Sequence, residues 1–161
     1  MKKIINPWKG LDGYMCFGCA PENPQGLHME FYEDGEDIVA FWEPESHYQG
    51  WLETLHGGIQ TTMMDELACW VVLRKLQTSG VTSRLDARFL KSISTREPRL
   101  MIRGRIKEQK RNAIFIETEI YNSQNELCSR ADIVYFVVTK EQATEKFHFA
   151  GCKTEDEKNE Q

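Results

Sequence analysis

The chain has 161 residues, with 25 Asp and Glu against 20 Lys and Arg, and a formal net charge of -5. That balance argues against a nucleic-acid partner, whose phosphates require a basic face. With 40% hydrophobic residues, the chain can bury the core of one domain, which excludes a disordered polymer.

The N-terminus, MKKIINPWKG, carries no apolar h-region of a secretory signal. The longest apolar run, Leu67 to Leu73, is too short to span a bilayer, which takes about 20 residues. Five cysteines form no even framework, so we expect a reduced, cytoplasmic protein without membrane contact.

Residues 1–27 form a turn-rich segment marked by Pro7, Gly10, Gly13, Gly18, Pro21, Pro24 and Gly26. It contains a CxxC, Cys16-Phe17-Gly18-Cys19. A structural zinc site takes four ligands and no second CxxC follows, although His28, His47 or a second subunit would add to the set. We therefore expect a reduced surface turn, with no metal and no cofactor. Residues 28–150 carry the regular elements. HMEFYE reads as a strand, Asp34-Gly35 as a turn and DIVAFWE as the returning strand, with Ile38, Ala40 and Trp42 on one face. An irregular loop follows from Pro44 to Thr54.

A long helix starts at Gly57-Gly58. Arg74 and Lys75 fall in its last turn, where cations suit the helix dipole, and Gly80 is the expected stop. No face is polar from Leu67 to Leu73, so this helix must be wrapped on all sides. Four alternating segments supply the wrapping: VTSRLDARFLKSI, LMIRGRIK, AIFIETEIY and SRADIVYFVV. No helix separates them, so an antiparallel meander is expected, making the fold class α+β with one long central helix. Residues 151–161, ending in TEDEKNEQ, read as a disordered acidic tail.

The segment LHGGIQTTMMDELACWVVL, from Leu55 to Leu73, holds the residues with chemistry. Backbone N–H groups at a helix start lack intrahelical acceptors, and glycines let a ligand approach them. Gly57-Gly58 either permits a tight turn or holds an oxyanion, and the residues alone leave both open. Asp65 and Glu66 lie two turns in and point about 100° apart. One can reach solvent or a basic partner; the other faces what the helix faces, and because a buried unpaired carboxylate is costly it needs a partner, such as Arg84 or Arg88, or a function. Gly58 and Asp65 stand about 10 Å apart along the axis, too far for one carbonyl to meet both. A two-fold partner subunit would supply the acid.

His56-Gly57-Gly58, with Asp65 nine positions after the histidine and Glu66 next to it, resembles the hotdog-fold thioesterases, particularly the PaaI-type branch. CFGCAPENPQGLHMEF, HYQGWLETLHGG and TSRLDARFLKSI resemble other family segments, so the likeness runs from about Cys16 to Val138. It implies a hotdog fold, a homodimer that can pair again into a tetramer, and hydrolysis of acyl-CoA to free acid and CoA. By that resemblance the Gly58 amide polarises the carbonyl, and His56 shapes the turn or bonds near the carbonyl. Asp65 of the other subunit is general base or nucleophile, and Thr82 assists the water. Gly57, Gln49, Trp51, Met64, Glu66, Arg84 and Arg88 are candidates for substrate binding; residues such as Trp51 and Met64 are as a class more often core, and Trp51, in the loop before the HGG turn, is the best pocket candidate among them. The chain departs from many relatives at Ser92, where they have proline, and at Gly50, where some have asparagine; Gln49 is the candidate replacement. The rival reading is a non-catalytic acyl-CoA-binding module.

Overall fold

A helix without a polar face has to be enclosed, and the apolar run from Leu67 to Leu73 dictates the architecture. The computed structural model describes residues 1–159. The strands are β1 (Lys2–Lys3), β2 (Phe31–Asp34), β3 (Asp37–Trp42), β4 (Gly80–Phe89), β5 (Leu100–Lys110), β6 (Ala113–Tyr121) and β7 (Leu127–Val137). The helices are α1 (Gly57–Leu76), α2 (Lys140–Phe147) and α3 (Glu155–Asn159), with a 3₁₀ turn at Ser46–Tyr48. All strand pairs are antiparallel, in the order β1-β2-β3-β5-β6-β7-β4. α1 lies against β3 to β7, and Leu67, Ala68, Val71, Val72 and Leu73 are all fully buried. This is the hotdog arrangement.

The alternation of the strands accounts for the sheet's inner face. Ile38, Ala40, Leu100, Ile102, Ile114, Ile116, Ile120, Ala131 and Ile133 are buried together. The Leu and Ile side chains among them contribute about 1.5–3 kcal/mol each when taken out of water. Gly104 narrows the layer, since a Cβ there would meet Leu67 at 3.0 Å. The expected Asp34-Gly35 turn forms, with Gly35 at φ 61°, and Arg111 and Asn125 take positive φ values of 55° and 61° in the turns that join the later strands.

Three features differ from the sequence reading. The four later strands are not one meander, because β4 crosses the molecule and pairs with β7 while β5 pairs with β3. Gly80 does not stop α1; Gln77 does, in the left-handed region. Gly80 opens β4, where any Cβ would fall 2.1 Å from the Phe136 carbonyl oxygen. The tail, expected to be disordered, is structured over its described part. Arg74 donates to Glu33, Glu157 and the Cys152 carbonyl, and Thr154 bridges to Ile4. Residues 160–161 lie outside the described residues.

β4 forms one edge of the sheet, and exposed apolar residues stand at both of its ends and elsewhere on the surface. Val81, Phe89 and Leu90 are exposed, and Trp51 and Leu52 are 84% and 83% exposed. An edge of this kind is a ready template for a further strand.

Candidate active site

The start of α1 is built around a histidine cap. His56 is the N-cap, with extended backbone, and its Nδ1 accepts a hydrogen bond from the Gly58 N–H at 2.8 Å. Glycine is required there because a Cβ on residue 58 would sit 2.9 Å from that same nitrogen. A neutral imidazole that accepts at Nδ1 carries its proton on Nε2, leaving that side as a donor.

This changes the expected role of Gly58. Its amide serves the cap and is not available to polarise a carbonyl. The Gly57 amide has no protein acceptor among the described residues, so it is an open donor at the positive end of the helix. The Phe89 ring stands 3.4 Å from where a Cβ on Gly57 would be, so the end of β4 reaches the helix start. Gly50 lies under His56, with its Cβ position 3.3 Å from the ring. A side chain at residue 50 would therefore reach the histidine, and this chain has none there.

Two turns on, Asp65 is half-buried. Thr82, exposed on β4, donates to Asp65 Oδ1 at 2.7 Å. A β-bulge between Thr82 and Arg84 sets this contact. The extra residue, Ser83, turns its hydroxyl away to the Val134 carbonyl. Bulges bend a strand and re-aim its side chains, often beside functional sites. Arg84 and Arg88 are exposed and form no ion pair with either acid among the described residues, so the salt-bridge reading of Asp65 and Glu66 does not hold.

Glu66 faces elsewhere. It accepts from Trp70 Nε1 at 3.1 Å and from the Cys16 thiol at 3.6 and 3.5 Å. The Cys16 thiol is held below its usual pKa, first by a hydrogen bond from Cys19 and then by the amides of Cys19 and Gly18. Three other candidates also lie away from Asp65. Gln49 Oε1 accepts from the Glu53 N–H and braces its own loop. Met64 is fully buried in the core, and Trp51 projects from the surface. One cavity of about 310 Å³ is walled by Lys3, Asn6, Cys19, His28 and Trp70 among others, and a smaller one of about 230 Å³ includes Arg84, Lys107 and Phe115. Neither contains Asp65 or His56.

The sequence reading missed the β4 bulge, the approach of Phe89 and the joining of Glu66 to the CxxC. A bulge has no signal in a strand of ordinary composition. The glycine inside the CxxC was a usable signal for the last.

The site comprises a carboxylate held by a hydroxyl, and a histidine-capped helix start with one amide open. The Thioesterase superfamily model matches residues 52–129, which span both. No match is found among curated proteins. Among solved structures, a hypothetical thioesterase from Streptococcus pneumoniae with coenzyme A is similar at 22% identity and TM-score 0.63, over 68% of this chain and 85% of that one. A Streptococcus mutans protein bound to acetyl-CoA is similar at 18% identity and TM-score 0.66, over 82% and 98%. A Haemophilus influenzae thioesterase is similar at 18% identity and TM-score 0.64, over 71% and 80%. No helix among the described residues is long and apolar enough to cross a membrane. The chain thus carries a hotdog fold whose residues 52–129 match the thioesterase superfamily.

Proposed function

We propose that the chain hydrolyses an acyl-CoA thioester in a site shared between two subunits. The observation that carries this is the Thr82–Asp65 pair at the open β4 edge. The carboxylate is fixed by one hydroxyl at one oxygen and faces the side where a second β4 would join. Pairing of the two edges across a two-fold axis would bury Val81, Phe89 and Leu90 and bring Asp65 of one subunit toward Gly57 of the other. Within one chain these residues are eight positions apart, about 12 Å along the helix. The absence of Asp65 and His56 from both cavities described above agrees with a pocket formed between chains.

In this reading the Gly57 N–H and the His56 Nε2–H hold the thioester oxygen. Thr82 donates to Oδ1, leaving Oδ2 to take a proton from water. The hydroxide forms a bond to the carbonyl carbon, the oxyanion rests on the two donors, and collapse breaks the C–S bond. The proton on Asp65 passes to the departing CoA thiolate. One oxyanion donor is worth about 10²–10³ in rate, and a positioned base about 10²–10⁴. In this reading Arg84 and Arg88, exposed on β4, supply the positive charge for the phosphates of CoA. The resemblance of the N-terminal segment supports the PaaI-type branch, and five free cysteines suit a reduced cytoplasm.

The test is CoA release from short, long and aromatic acyl-CoAs by wild type and Asp65→Asn. We expect turnover in wild type that falls by about 10²–10⁴ in the variant. Binding without turnover on the whole panel would instead establish a non-catalytic acyl-CoA-binding module.

A further inference from the structure

On the other side of α1 from Thr82, three metal-ligating side chains converge. The Cys16 and Cys19 thiols and a Glu66 carboxylate oxygen lie within 4.8 Å of one another. We propose that Cys16, Cys19 and Glu66 bind one zinc ion, with solvent as the fourth ligand, and that this ion fastens the N-terminal segment to α1.

Four observations support the site. First, the spacing fits. Tetrahedral zinc with Zn–S of about 2.3 Å and Zn–O of about 2.0 Å sets S···O at about 3.5 Å. Cys16 Sγ lies 3.6 and 3.5 Å from the two Glu66 oxygens. Second, the backbone makes room. A Cβ on Gly18 would fall 2.5 Å from Glu66 Cδ, so only glycine in the middle of the CxxC lets the carboxylate in. Third, the ligands have outer partners of the kind metal sites need. The Tyr14 hydroxyl lies 2.9 Å from Cys19 Sγ and is itself held by Asn6. Trp70 Nε1 donates to Glu66 Oε1. Fourth, Cys19 is 5% exposed and stands in the wall of the 310 Å³ cavity, which gives water and the ion a way in.

The donor set selects the metal. Two thiolates with a carboxylate suit a borderline-soft ion and exclude magnesium or calcium, which take oxygen ligands. Binding releases the two thiol protons to solvent. The ion would offset the charge gathered where a thiolate pair and a carboxylate meet. It would also hold Glu66 next to the residue we assign as base, with no place in the reaction itself.

The experiment uses the full chain, purified reduced from zinc-supplemented culture. Elemental analysis should find one zinc per chain. After chelation, titration with cobalt(II) should give thiolate-to-cobalt absorption that saturates at one equivalent. Cys16→Ser and Cys19→Ser should lose it, and Glu66→Gln should weaken binding at least tenfold. Circular dichroism checks that the variants fold. In wild type alone, zinc should slow alkylation of Cys16, read by mass spectrometry. No zinc and no cobalt absorption in folded, reduced protein would overturn the proposal. So would an unchanged cobalt spectrum in the double serine variant, equal Cys16 alkylation with and without zinc, or a Cys16–Cys19 disulfide in acid-trapped protein. None of these readouts depends on turnover, so the site stands or falls apart from the thioesterase reading.

Discussion

Asp65 and Glu66 are neighbours in sequence, yet they occupy opposite kinds of environment. Asp65 looks toward the open edge of the sheet, where one hydroxyl from β4 holds it and no cation pairs with it among the described residues. Glu66 looks toward the closed side, where Trp70, Cys16 and the glycine turn at residue 18 box it in. The angle between successive helix residues sends one acid to an unfinished surface and the other into a finished one. A carboxylate with spare acceptor capacity at an unfinished surface suits chemistry. One whose oxygens are already engaged by a ring N–H and a thiol suits structure.

The comparison can be broken most decisively at the open edge. Val81→Glu combined with Leu90→Glu places like charges where two β4 edges would meet. Sedimentation should show monomers, and CoA release should fall at least 10²-fold because base and oxyanion donor are separated. Monomers with full turnover would return the whole site to one chain. A finer test is Thr82→Val, which removes the hydroxyl and keeps the shape. A hydrogen bond to a charged group is worth about 1.5–3 kcal/mol, so turnover should drop by about tenfold or more, and Tm by a few degrees at most.

On the closed side the expected losses are in stability. Gly18→Ala forces Glu66 aside, and overpacking of this sort costs about 1–3 kcal/mol. In a chain of this size each kcal/mol lowers Tm by about 2–4 °C, which calorimetry would resolve. An unchanged Tm would mean that the glycine is there for its turn alone. The smallest effect concerns the tail. The hydrogen bond from Arg74 holds Glu157 well below the ordinary carboxylate value of 4.5, to about 2. A depressed carboxylate stabilises above its unfolded pKa and loses that contribution as pH falls toward the folded one. Hydrogen exchange of residues 152–159 should therefore quicken between about pH 4.5 and 2, and Arg74→Ala should show the fast exchange already at pH 7.

Much of the fold was legible in the chain. A helix apolar on every side needs a wrapping sheet, and the alternation of Ile114, Ile116 and Ile120 or Ala131 and Ile133 supplied one. The strand order was not legible, because alternation tells a strand which face to bury but not which neighbour to take. The same limit applied at the site. His56, Gly57, Asp65 and Thr82 could be picked out by residue type and spacing. That Gly58 gives its amide to the histidine was hidden, since a cap is a matter of backbone angle and ring orientation.

The elements, the buried helix and the short set of residues able to do chemistry follow from local periodicity and residue type, which are properties of the chain alone. Their pairing came with the fold. It joined Thr82 to Asp65 through a bulge and Cys16 to Glu66 across 50 residues. Contacts between distant segments depend on how strands order themselves around the helix, and no local pattern in the chain encodes that order.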